Sequence, residues 1–340
     1  MQGMAATPVH PRDVLLGAQA GAIVLPVCDH YSGVEARMKK SLALQADMAD
    51  EFGACVFDVT LDCEDGAPVG GEAEHADLVT GLALAADARA RVAVRVHPVD
   101  HPAFDEDVAT IVGRAWHRLV HVMLPKVESV ADVDRAANAL DAAGAADLPL
   151  QVLIESPGAV HRAFDIAAHP RVQSLSFGLM DFVSAHAGAI PAEGMGAAGQ
   201  FTHPLVVQAK LAIASAAHAA GKVPSHCVVT EFGDADALRH AARRAAREFG
   251  FTRMWSIHPS QIRPILEAFA PDAREVDTAA RILLAAQRAD WAPVSFAGSL
   301  HDRASYRHFW QLLERAHRTG AALPAEVRPW LATTEPSAAV

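Results

Sequence analysis

Eight short runs rich in β-branched and aliphatic residues recur along this chain, each parted from the next by a helical, mostly alanine-rich stretch. They cover 22–27 (AIVLPV), 54–61 (ACVFDVTL), 92–97 (VAVRVH), 119–125 (LVHVMLP), 150–155 (LQVLIE), 172–178 (VQSLSFG), 226–230 (HCVVT) and 254–258 (MWSIH). Runs this continuously apolar suit parallel strands buried on both faces by helices, and not half-solvated antiparallel ones. Eight such units in roughly 240 residues fit an α/β fold of the (β/α)8 TIM-barrel type. The expectation is a barrel over 14–270, a C-terminal helical extension over 271–333, a candidate lid on a neighbouring subunit, and flexible termini at 1–13 and 334–340. A doubly wound open sheet would require a glycine-rich phosphate turn after the first strand, which Pro26–Gly33 does not supply.

Local punctuation agrees. Gly53, Gly221 and Gly250 each follow a helical stretch just before a strand, as left-handed helix caps do. Ser129 opens a helix over 129–143 with Asp132 in the capping-box position. Further helices are expected over 35–51, 260–269, 272–289, 302–318 and 323–332, with a loop over 290–301.

Composition narrows the function. The chain of 340 residues carries a net charge of −11 and no basic block, which disfavours nucleic acid and anionic membrane as partners. Cys28, Cys55, Cys63 and Cys227 form no Cys-x-x-Cys pair, so reduced thiols in a cytoplasmic protein are expected. The apolar stretch 14–27 is broken by Gly17, Gly21 and Pro26 and reads as a helix end and first strand, not a targeting signal. No run is long enough to span a bilayer.

Four of the apolar runs end at or beside a charged side chain: Arg95, Lys126, Glu155 and Asp181. In an α/β barrel all strand ends open on one face, where the active site is built. Glu155 and Asp181 follow neighbouring strands, and two oxygen ligands that leave positions for water and substrate suit Mg2+, with Mn2+ as the alternative ion. One strand-end acid more often caps a helix; two on adjacent strands favour metal binding. The 18 histidines show no zinc-ligand spacing. Arg95 sits in an apolar strand and must be paired. It either clamps a substrate carboxylate or oxo group, or bridges to Asp62, Glu64 or Asp65. Those three acids suit orientation of Arg95 and contact to metal-bound water, with Glu64 the candidate base and Asp62 and Asp65 behind it. Lys126 is a candidate substrate contact that could instead pair with Glu128 on the surface, and its use as a Schiff-base nucleophile is disfavoured beside a metal.

The strings Leu61-Asp-Cys-Glu-Asp-Gly66, Val94-Arg-Val96, Leu124-Pro-Lys-Val-Glu128, Ile154-Glu-Ser156, Phe177-Gly-Leu-Met-Asp181 and Ile257-His-Pro-Ser-Gln261 together resemble the citrate lyase β-subunit-like family. That family includes malyl-CoA and citramalyl-CoA lyases within the HpcH/HpaI aldolase superfamily. The resemblance implies a (β/α)8 barrel with Mg2+ on Glu155 and Asp181, and Arg95 on the oxo acid. It implies a homotrimer or homohexamer in which a C-terminal segment presents an aspartate to a neighbour's site; Gly298-Ser-Leu-His-Asp302 matches, making Asp302 that acid. Two departures stand out. The first strand runs Pro26-Val-Cys-Asp-His30 where the family has Pro-Gly, and Met254, beside the bulky Trp255, replaces a basic residue, which counts against a CoA thioester.

The expected activity is therefore a Mg2+-dependent carbon–carbon lyase. It would cleave a hydroxy acid or its CoA thioester into a 2-oxo acid and an acyl or enolate half, or run the reverse condensation. The alternatives are a CoA-independent class II aldolase giving pyruvate and an aldehyde, and a catalytically idle carboxylate-binding barrel or lyase-complex subunit.

Overall fold

The computed structural model describes residues 10–17 and 24–332, so residues 1–9 of the flexible terminus expected at 1–13, and all of that expected at 334–340, lie outside the described residues. Eight parallel strands close into a barrel: β1 (Cys28–Ser32), β2 (Phe57–Asp62), β3 (Val92–Arg95), β4 (Leu119–Leu124), β5 (Leu150–Ile154), β6 (Val172–Phe177), β7 (Val223–His226) and β8 (Arg253–Ser256). The pairing Cys28↔Met254 between β1 and β8 completes the circle, which settles the architecture against an open sheet.

Strand alternation sorts the side chains into two sets. One set, including Val59, Leu61, Val94, Val122, Val152 and Ile154, packs outward in the main core cluster. The other faces the barrel axis in tiers. Asp29, Asp58, His121, Gln151 and Arg253 form a buried polar tier, where barrel interiors are usually filled with branched apolar side chains. The fully buried Arg253 makes this tolerable, reaching Asp58 Oδ2 at 2.6 Å, Asp29 Oδ2 at 3.0 Å and the Pro26 carbonyl at 2.7 Å. Two residues further along the strands, Tyr31, Met123, Leu153 and Trp255 form an apolar tier. Two further still come the charged residues of the mouth.

Two strands are displaced from their expected positions. The first was expected at 22–27, of which 22–23 lie outside the described residues, but β1 is the polar run Cys28–Ser32. Pro26 cannot donate to a ladder, whereas Asp29 and His30 are buried with partners. Thr60 Oγ1 donates to Asp29 at 2.7 Å, and the His30 ring meets Ser256 and Ser41 hydroxyls at 2.9 Å each. Likewise β7 is Val223–His226 and not 226–230, because Cys227 and Val229 are buried beyond the last ladder pairing. Met254, expected at a rim, is fully buried in the main core cluster.

The barrel forms one compact unit, Leu25–Phe269. A second unit gathers the chain from Ala270 onward with the N-terminal helix Pro11–Leu16, a segment expected partly in the flexible terminus and partly in the barrel. Its helices Ala273–Arg288 and Arg303–Arg318 pack around Leu283, Tyr306, Trp310 and Leu313. Residues 290–301, expected as a loop, contain an antiparallel hairpin of Val294–Phe296 and Ser299–His301, and the last helix is only Arg328–Leu331. No helix among the described residues is long and apolar enough to cross a membrane.

Candidate active site

The C-terminal ends of β2 to β6 build the mouth. Arg95, the last residue of β3, is 6% exposed and three of its five guanidinium N–H groups are engaged. Nε and Nη2 donate to the two oxygens of Asp62 at 2.6 Å each, and Nη1 pairs with Glu64 Oε2 at 2.9 Å. Burial works against the charge, but Asp62 and Glu64 outweigh it and raise the Arg95 pKa above its ordinary value. Of its five N–H groups two remain for a ligand.

Asp62 also accepts the backbone N–H of Glu64 at 3.0 Å and of Gly66 at 2.8 Å, so this loop is wound around one carboxylate. Gly66 is required there, since a β-carbon would stand 2.1 Å from Asp62 Oδ2. Glu64 bridges the site's two cations, accepting also from the Lys126 ammonium, which stands 3.6 Å from Asp65 Oδ2. Lys126 therefore does not pair with Glu128, which instead meets Arg162 at 3.1 Å. Lys126 sits at φ 52°, the left-handed region that a side chain resists by about 1–2 kcal/mol. That turn aims its backbone N–H at Glu155 Oε1, 2.6 Å away.

Glu155 is 6% exposed, and burial, then the charge of Asp181, pushes its pKa up to about 8. A buried carboxyl in this position is kept ionised by a nearby cation and is otherwise protonated. Neither Glu155 Oε2 nor the Asp181 carboxylate receives a hydrogen bond from the described residues. Gly178 leaves the space that Glu155 fills, a β-carbon there falling 2.4 Å from Oε2. Residue for residue, the donor set fits a hard divalent cation. Among the described residues no cluster of three or more His, Cys, Asp or Glu could by itself hold a metal ion.

Glu155 and Asp181 stand between two adjoining cavities. The inner one, about 200 Å³, reaches Arg95, Tyr31, Leu153 and Trp255; the outer one, about 440 Å³, is lined by Asp100, Lys126, Glu128 and Asp132 among others. Thus Arg95, Glu155 and Asp181, predicted from sequence, share the inner cavity, with Asp65 also on its wall. Asp302 belongs to the second unit, where it caps the helix Arg303–Arg318 by accepting from Ala304 N at 3.0 Å and Ser305 N at 3.3 Å. Sequence reasoning missed Gly178 and the Tyr31 wall. An isolated glycine ending a strand run was the available signal for the first; nothing local marked the second.

Residues 41–259 match the profile of the HpcH/HpaI aldolase/citrate lyase family, and the chain belongs to that family of carbon–carbon lyases. Among individual proteins, it is 29% identical over 294 residues to the L-malyl-CoA/beta-methylmalyl-CoA lyase of Cereibacter sphaeroides, covering 80% of this chain and 91% of that one. The crystal structure of a citrate lyase from Burkholderia xenovorans is 49% identical with a TM-score of 0.79, covering 95% of this chain and 99% of that one. The CitE protein of Mycobacterium tuberculosis, solved with magnesium, acetoacetate and coenzyme A, shares the fold at 24% identity and a TM-score of 0.64, covering 86% of this chain and 98% of that one.

Proposed function

We propose that this protein is a Mg2+-dependent lyase that cleaves a hydroxy acid, carried as its CoA thioester, into a 2-oxo acid and an acyl half, or joins them in reverse. The observation that carries the reading is the meeting of Glu155, Asp181 and Arg95 on one small cavity at the barrel mouth. Glu155 and Asp181 would hold the cation, with water and substrate completing its shell. When bound, the cation supplies charge stabilisation to the reacting oxygens, an effect worth several kcal/mol.

The chain's own residues then divide the remaining work. Arg95, locked against Asp62 and Glu64, offers its two remaining N–H groups to the carboxylate of the oxo-acid half. Glu64 is the carboxylate assigned to take the proton of the substrate hydroxyl as the carbon–carbon bond breaks. The bonding pair passes to the acyl half as an enolate, whose carbon is protonated by Asp302 of a neighbouring copy in a homotrimer or homohexamer. Lys126 holds Glu64 in place from the outer cavity and lies where an incoming acyl group enters. The relatives named for malyl-CoA support a thioester as the acyl carrier.

The reading is tested by calorimetric titration of Mg2+ and product analysis with malyl-CoA and citramalyl-CoA. Glu155→Gln is expected to weaken Mg2+ binding at least tenfold and to abolish formation of a 2-oxo acid. Unchanged metal affinity refutes the ligand assignment, and CoA release without a 2-oxo acid would mark a hydrolase. Release of pyruvate and an aldehyde from a free acid would mark the CoA-independent aldolase. Mixed oligomers of Glu155→Gln and Asp302→Asn chains should recover activity if Asp302 works across subunits.

A further inference from the structure

The chain holds two tyrosines, and their hydroxyls are placed differently. Tyr306 belongs to the second unit, where its hydroxyl meets the Ala292 and His301 carbonyls at 2.8 and 3.0 Å. Tyr31, on β1, lies on the wall of the inner cavity with Arg95, Glu155 and Asp181. Among the described residues its hydroxyl has no hydrogen-bond partner. A tyrosine hydroxyl withdrawn from solvent usually finds one.

The ring itself is held. Trp255 stands edge-on to it with centroids 4.6 Å apart, and the Trp255 indole N–H donates in turn to Ser176 Oγ at 3.0 Å. The Arg95 guanidinium carbon lies 5.1 Å from the Tyr31 centroid, within cation–π range. Arg95 is fixed by Asp62 and Glu64, so ring and guanidinium keep one mutual arrangement. None of these contacts uses the hydroxyl.

At neutral pH that hydroxyl is a proton donor and not a base. Burial pushes the Tyr31 pKa up to about 12, with Asp62, Asp65 and Glu64 adding to the rise against the opposing charge of Arg95. The carboxylates on the same wall are Asp65, Glu155 and Asp181, and Tyr31 bonds to none of them. The acceptor for this donor therefore comes with a ligand. An anion here also needs donors more than charge. Arg95 and Lys126 face Asp62, Glu64 and Asp65, two positive groups against three negative ones.

Resting on the reading above, in which the oxo-acid half sets its carboxylate on Arg95, we infer that Tyr31 is a further substrate-binding residue whose hydroxyl donates a hydrogen bond to that carboxylate. The ring's contact with Arg95 places it at this end of the acid. The charges that act most on the hydroxyl, Arg95, Asp62, Asp65 and Glu64, lie on the same side, away from the pair assigned to the cation.

The test is Mg2+-dependent binding of glyoxylate and pyruvate to the full-length protein by calorimetry. Tyr31→Phe keeps the ring and removes only the hydroxyl. Affinity for both acids is expected to fall about tenfold, the usual loss for a hydrogen bond to a charged group. Mg2+ affinity and the urea midpoint should match the wild type, whereas a hydroxyl with a structural role would lower the midpoint. Acid affinity within about twofold of the wild type overturns the role of Tyr31 alone. If Tyr31→Phe does not fold, fluorine NMR of the protein labelled with fluorotyrosine carries the test, Tyr306→Phe assigning the two resonances. Adding pyruvate to the Mg2+-loaded protein should move the Tyr31 resonance and leave that of Tyr306. A Tyr31 resonance that stays still while calorimetry shows pyruvate bound overturns the inference. A wild type with no Mg2+-dependent affinity for either acid overturns the proposed function, and this inference with it.

Discussion

Asp62→Asn is the substitution whose cost follows most directly from the geometry. The carboxylate of Asp62 is fully buried and accepts four donors: Arg95 Nε and Nη2 at 2.6 Å each, Glu64 N at 3.0 Å and Gly66 N at 2.8 Å. Asparagine keeps the shape, but whichever way its amide turns, an NH2 group faces one Arg95 donor and one backbone N–H. Removing one charge of a buried pair typically costs about 3–5 kcal/mol, because the other is left uncompensated. Here Glu64 remains on Nη1, which places the expected loss toward 3 kcal/mol. With a urea slope of about 3 kcal/mol/M, the unfolding midpoint of the barrel should fall by about 1 M with the slope unchanged. Affinity for 2-oxo acids should fall at least tenfold as Arg95 loses its aim, while Mg2+ affinity, set by Glu155 and Asp181, should persist. A midpoint within 0.3 M of wild type together with unaltered oxo-acid affinity would show that Arg95 is held by something other than this fork.

Other outcomes follow from the same contacts. Gly178→Ala places a β-carbon 2.5 Å from that of Glu155, so the carboxylate must shift; Mg2+ affinity should drop tenfold or more in a folded protein, and an unchanged titration contradicts the cradle. Since Lys126 sits at φ 52°, Lys126→Gly should be more stable than Lys126→Ala by about 1 kcal/mol, with the backbone donor to Glu155 intact in both. Chemical denaturation that finds alanine the more stable would remove the strain from the account. Lys210 is buried against Gln200 at 2.7 Å and His226 at 2.8 Å, and burial lowers its pKa to about 8. Between that value and about 10.4 the unfolded chain keeps a proton that the native protein has released, so Lys210 makes stability rise with pH across this window. Denaturation at pH 7.5 and pH 10 should show that rise in the wild type and a smaller one in Lys210→Met; equal rises would count against it.

The barrel was legible because its period is written in the chain. Eight apolar runs separated by helices have one compact solution; Gly53, Gly221 and Gly250 lie where helices end, and Ser129 lies where one begins. Strand position was less legible wherever polar residues are buried in pairs. β1 was misplaced because Asp29 and His30 look like loop residues until Arg253, Thr60, Ser41 and Ser256 are brought to them from as far as 226 residues away. The partner of Lys126 stays open in sequence for the same reason: Glu128 is near along the chain, but the left-handed turn at Lys126 accompanies an ammonium that reaches Glu64.

By itself the order of residues determined which carboxylates and which guanidinium reach the open end of the barrel, since strand parity and strand ends are local properties. Only the folded structure decided that Asp62 and Glu64 already occupy three donors of Arg95, that Glu155 is seated by Gly178 and the Lys126 backbone, and that Tyr31 and Trp255 line the same cavity. These are contacts between side chains on different strands, and their energies depend on distances and desolvation that no single segment encodes.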